Sequence, residues 1–252
     1  MSRVADTNGG NLLDLVALGA TTVLACGVLV RREALAGSDS ENRDREGAVA
    51  LRFSGHRSWE LRLGIPGDLN FALGVRASLR LPVAGVSVLA TGPLERELEA
   101  TDLALDLSGT AREWAEWWNL MAGLRAGRPG FPVLGRFDPP AFDSLAQFPE
   151  LRLACQDVWP RFYSWWNTPS HRKRRLADTL AVLGSTPNQL VLDHEHRVGR
   201  ITRPFLFQID VLAVESTDAV VIDDVYAQVG ARLVSDLVLF TSWFRAILRR
   251  IG

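Results

Sequence analysis

The chain has 252 residues, 47% hydrophobic and 23% charged, and 28 Lys+Arg against 29 Asp+Glu leave a formal net charge of −1. That is the composition of a folded chain with a sizeable core, and near-neutrality removes the global field that draws a protein to nucleic acid. Lys173 is the only lysine, which excludes Schiff-base and phosphate-loop lysine chemistry.

The most apolar stretch comes first: "LLDLVALGATTVLACGVLVRR", residues 12–32, of which Leu15 to Val30 carry no charge. As a helix, those 16 residues would span roughly 24 Å, short of the ~30 Å hydrocarbon core. Asp14, Thr21, Thr22 and two glycines make the span poorer still. Residues 1–36 therefore read as an apolar segment, with 12–30 a buried element or subunit contact. The alternative is a single-pass anchor flanked by Arg31 and Arg32. A cleaved signal is not expected, since Arg3 is the only basic residue ahead of the run and no A-x-A site follows. "GSDSENRDREG", residues 37–47, is polar and glycine-bounded, a linker.

A β-rich domain with inserted helices is expected over 48–215. "AVALRFSGHRSWELRLGI" alternates, with Val49, Leu51, Phe53, Trp59, Leu61, Leu63 and Ile65 inward and "SGHRS" as a hairpin loop. The same alternation predicts strands through Val75, Ala77, Leu79 and Leu81, and through Leu103, Leu105 and Leu107 with Asp102 and Asp106 outward. The period then changes. Thr110 as N-cap with Glu113 as capping-box partner opens a helix to Ala126, with Trp114, Trp117, Trp118 and Met121 on one face. Residues 128–150 read as a long surface loop, and "RKRRLADTLAVLG" as a second helix. "NQLVLDHEHRVGRI" reads as strand, turn, strand, and a further strand has Phe205, Phe207, Ile209 and Val211 on one face. Residues 216–252 form a C-terminal helical segment, with Leu233, Leu237, Phe244, Ile247, Leu248 and Ile251 inward and Arg245, Arg249 and Arg250 near its end. The fold class that follows is α+β: a mainly antiparallel sheet, or a small barrel or sandwich, with two to three flanking helices.

Few residues suggest chemistry. Cys26 and Cys155 form no C-x-x-C and no metal-spaced group, and only a single long-range bridge between them stays open. Asp193, His194, Glu195 and His196 have metal-ligand side chains, but their place in a turn predicts solvated polar groups. "GSTPNQLVLDHEHRV" resembles the cis-proline region of thioredoxin-like folds without the cysteine their chemistry needs. No catalytic, cofactor or metal residue is expected. "VWPRFYSWWNTPSHRKRR" interleaves aromatics with arginines, and its favoured reading is a core edge or interface. The interface residues expected are Trp165, Trp166, Phe240, Trp243 and Phe244.

A strand ending "LALDLSGTA", a helix after it, and the late strand "RITRPFLFQIDVLAVES" together resemble structural proteins of tailed-phage tails and baseplates. The resemblance covers about residues 85–215 as a pattern. It implies a non-enzymatic virion protein that forms rings or joins tail parts, with itself and other structural proteins as partners and no small-molecule substrate. The alternative is a protein of a bacterial membrane, anchored through 12–30, whose β-rich domain binds a ligand or partner. A metal-dependent enzyme would rest wholly on "DHEH".

Overall fold

The computed structural model describes residues 50–54, 59–82, 86–94, 98–127, 136–168, 178–179 and 181–251. The expectations for the apolar stretch 12–30, the linker 37–47 and Cys26 lie outside them.

Five strands make one sheet: β1 (Ala50–Ser54), β2 (Trp59–Gly64), β3 (Phe205–Leu212), β4 (Ala219–Val221) and β5 (Tyr226–Gly230), in spatial order β1-β2-β3-β5-β4. The hairpin forms where the alternation placed it, with Leu51 opposite Leu63 and Phe53 opposite Leu61. The centre of the sheet differs from the expectation. β2, β3 and β5 run parallel, and only the two edge strands are antiparallel to their neighbours. The mainly antiparallel sheet or barrel is thus corrected to a mixed sheet with a parallel centre. Alternation within a strand reports which face is buried, not the direction of the strand beside it. The crossover from Ile65 to Pro204 sets that direction, because a parallel neighbour needs a long return path. The sheet also continues past residue 215, since β4 and β5 extend it.

The crossover carries α1 (Gly67–Leu79), α2 (Val88–Thr91), α3 (Leu107–Arg125), α4 (Pro149–Asn167) and α5 (Thr186–Val198); α6 (Ala231–Ser235) and α7 (Leu237–Ile251) follow the last strand. Two expected strands are absent. Val75, Ala77 and Leu79 belong to α1, whose Leu69, Phe71, Ala72, Leu73, Gly74 and Val75 are all buried. A helix enclosed on nearly every side shows no polar stripe, so its sequence does not display a 3.6 period. Residues 101–106 form no strand, and Leu103 and Leu107 stay exposed. Asp106 is the true N-cap of α3, its carboxylate accepting the Ser108 N–H at 3.0 Å.

The expected capping box is therefore corrected too. Thr110 lies inside the helix and donates its hydroxyl to the Asp106 carbonyl at 2.8 Å. Glu113 instead accepts the Leu151 N–H at 3.1 Å, capping the first turn of α4. Trp114, Trp117, Trp118 and Met121 are buried, but α3 packs chiefly on α1 and α4. The Trp114 indole donates to the Ala72 carbonyl at 2.7 Å, and Trp117 meets Phe71 edge-on. Phe71 also stacks on Phe142 at 5.3 Å and meets Trp159 and Phe162 edge-on. Phe142 comes from the stretch expected as surface loop, so its described part, 136–148, is core on at least this side. The aromatic content of that stretch was the sign.

Asn70 fastens this helical layer to the sheet. It is buried, donates to the Pro66 carbonyl at 2.7 Å and the Val211 carbonyl at 3.5 Å, and accepts the Ala213 N–H at 2.6 Å. Leucine there would fill the space and leave that amide unpaired in the interior. Asn70→Leu is expected to lower the unfolding free energy by about 2–3 kcal/mol in urea titration. A loss under about 0.5 kcal/mol would mean the amide finds another partner.

Candidate functional site

The parallel strands place polar side chains in one patch. Gly64, Asp210 and Gln228 stand side by side across β2, β3 and β5, next to the row of Arg62, Gln208 and Tyr226. The opposite face carries Leu61, Leu63, Phe207, Ile209, Val211, Ala227 and Val229, all buried. A polar group at the carboxyl half of parallel strands is where open α/β sheets hold their ligands, so it is the natural place to look.

Asp210 is 1% exposed. Its Oδ2 accepts from Arg125 at 3.1 Å and from the Tyr226 hydroxyl at 2.9 Å, and its Oδ1 accepts from Gln208 at 3.2 Å. Gln228 donates to the Tyr226 oxygen at 3.1 Å. Arg125 reaches on to Asp68, 2.6 Å away. Helix ends set this geometry. Asp68 sits in the first turn of α1, where the dipole favours an anion, and Arg125 in the last turn of α3, where it favours a cation. Gly64 leaves room, since a Cβ on it would stand 3.3 Å from the Asp210 carboxylate.

Burial pushes the Asp210 carboxyl up, against the pull of Arg125 and the Tyr226 hydrogen bond. Burial alone would lower Arg125, but Asp68 and Asp210 outweigh it and hold the guanidinium charged. Tyr226 is pushed far up, first by burial and then by the Asp210 charge, and stays a neutral donor. Each group is committed to another within the cluster. Tyr226 gives its only proton to Asp210, and Arg125 closes the solvent side while keeping 27% of its side chain exposed. The arrangement is a polar clamp between three strands and two helix ends.

Elsewhere, a cleft of about 680 Å³ is lined by Arg76, Arg80, Leu81, Pro93, Leu94 and Leu98, among others. Its deeper cation is engaged, Arg76 donating to the Thr91 and Gly92 carbonyls. A shallower groove of about 460 Å³ runs along the outside of α7, past Leu237, Val238, Thr241, Ser242, Arg245 and Arg249. Among the described residues, no three His, Cys, Asp or Glu side chains gather to hold a metal, and no helix is long and apolar enough to cross a membrane.

The residues expected at an interface have other places. Trp165, Trp166, Phe240 and Phe244 are buried in the chain's own core, and Trp243 is half-buried against Phe240 and Phe244. The "DHEH" turn is corrected to the last turns of α5, where His194 and Glu195 are buried and His196 is exposed. The thioredoxin-like strand and turn are helix as well. Cys155 is a free, buried thiol that burial pushes well up. The clamp went unread, though Asp210 within "FLFQIDVL" was a visible signal: one carboxylate in an otherwise apolar strand needs a cation from somewhere.

No protein family, curated protein or solved structure matches the chain.

Arg125→Met would leave Asp210 buried without its cation. The expected loss is about 2–3 kcal/mol, below the ~3–5 kcal/mol of a fully buried pair because Arg125 is partly exposed. The folded value of Asp210 lies above its unfolded one, so its contribution falls as pH rises through the interval between them. Without Arg125 that interval widens upward. The deficit against the parent should be largest near neutrality and shrink towards pH 4, read by urea titration across pH. A pH-independent deficit would place the effect in lost packing instead.

Proposed function

We propose that this is a non-enzymatic association protein whose contact surface is the outer side of α7 and whose partner is a second copy of the chain. The observation that carries the reading is the first turn of α7, where Leu237, Val238 and Leu239 follow one another exposed, Val238 at 77%. The clamp supports it from the other side, since Asp210, the most buried acid among the described residues, is committed to Arg125 and Tyr226.

The chemistry of the groove suits a two-fold contact. At 100° per residue, Val238, Ser242, Arg245 and Arg249 lie within about 40° of one line. Phe240, Phe244, Ile247 and Leu248 face inward. When two such helices cross antiparallel at Thr241 and Ser242, the small side chains allow close approach. Val238 of each copy then meets the aliphatic stem of Arg245 on the other, with the guanidinium left at the wet rim. One helix face falls short of the ~800 Å² per partner of a stable complex, so association is weak and concentration-dependent. Membership of a phage tail or baseplate would rest on a likeness that includes a strand at 102–107, which the fold lacks, so the proposal is made for self-association alone.

Sedimentation velocity of the full chain over a concentration series tests this. The parent should move from monomer towards dimer, and Val238→Glu should stay monomeric with unchanged thermal unfolding. A parent monomeric up to roughly 0.5 mM, or a variant that associates equally, would refute it.

A further inference from the structure

The cleft at the end of α1 has walls that the chain itself holds in place. Arg76, in the last turn of α1, donates to the Thr91 and Gly92 carbonyls, and the Thr101 amide donates to the Ser78 carbonyl at 3.2 Å. Arg161 of α4 grips the Glu99 and Ala100 carbonyls at 3.1 and 3.3 Å. Leu81, Leu94 and Leu98 supply the apolar part of the lining. The charges are less settled. Those carbonyls fix the Arg76 guanidinium without cancelling its charge, and its Nε is buried with no hydrogen-bond partner among the described residues. Arg80 lines the same cleft, is exposed, and makes no side-chain hydrogen bond or ion pair among the described residues. Its backbone is left-handed, with φ 52° and ψ 41° at the C-cap of α1. Glycine is the ordinary residue for that conformation, and a strained side chain kept there points to a use for it.

We propose that this cleft binds a small organic monocarboxylate, its head on Arg80 and its short apolar tail along Leu81, Leu94 and Leu98. The planar fork of a guanidinium matches the two oxygens of a carboxylate. Arg76, already held by two carbonyls, attracts the head from deeper in the cleft by its charge. Among the described lining residues, Glu99 is the one carboxylate set against these two cations. That balance leaves room for a single negative charge, which favours a monoanion over the dianion of a phosphate ester. The leucines shelter a tail that a bare inorganic anion lacks. A cleft of about 680 Å³ is also of the size that takes small molecules, roughly 300–1,000 Å³. It shares no lining residue with the α7 groove, so the site stands apart from self-association.

Titration of the full chain with sodium hexanoate, read by the amide NMR shifts of Arg76, Arg80, Leu94 and Leu98, tests the site. Acetate, hexyl phosphate and 1-hexanol are the controls for tail, charge number and head. Hexanoate should saturate those shifts and bind about tenfold or more tighter than each control. Arg80→Gly relieves the left-handed strain, so the unliganded variant should unfold no earlier than the parent. It should nevertheless bind hexanoate about tenfold or more weaker. Arg80→Asn, which also accepts that backbone, decides where Arg80→Gly does not fold. No saturation by about 20 mM hexanoate, a smaller margin over any control, or a smaller loss in the variant overturns the proposal.

Discussion

Asp210 lies inside a parallel sheet, and a carboxylate there costs several kcal/mol unless a cation meets it. Arg125 is that cation, and the requirement fixes much of the chain around it. The last turn of α3 must reach the sheet, and Asp68 brings the first turn of α1 to the same guanidinium. A side chain at Gly64 would crowd the carboxylate, its Cβ standing 3.3 Å from Asp210 Oδ1. Tyr226 and the two glutamines complete the shell from β3 and β5. An apolar residue at 210 would remove the one ion pair that joins the end of α3 to β3. The clamp ties three strands to two helix ends through one guanidinium.

The tryptophans complete that division of labour. Trp114 hydrogen-bonds α1, and Phe71 gathers rings from α3, α4 and the segment before it. These contacts supply area and shape, whereas Asn70 and the clamp supply position. Both kinds of interaction turn inward.

What could be read from the chain follows the range of each interaction. The β1–β2 hairpin and the C-terminal helix were legible because their signals are local: a short loop between alternating runs, and apolar residues at helical spacing. The tryptophan face of α3 was legible for the same reason. The parallel pairing of β2 with β3 was not, because its cause is a crossover from residue 65 to 204 that no short window contains. α1 was misread as a strand because burial on nearly all sides erased its period. The aromatics of 158–166 could be read as core edge or interface, since sequence cannot say whether a ring's neighbour belongs to the same chain. "DHEH" looked like a turn by composition, although Thr186–Pro187 ahead of it and Gly199 behind it were a helix start and stop.

The C-terminal helix brings two of these threads together. Its apolar surplus does not widen evenly along its length: Phe240 turns inward, and the exposed apolar residues are confined to the first turn, with arginines at the far end. Val238 and Arg249 are 11 residues apart, roughly 16 Å along the axis, and share no partner. The two positions therefore lie at opposite ends of one helix. Substitutions that far apart combine additively within about 0.5 kcal/mol. Val238→Glu with Arg249→Gln should thus show the sum of the single changes in unfolding free energy at pH 7. A larger departure would mean that the helix transmits between its ends.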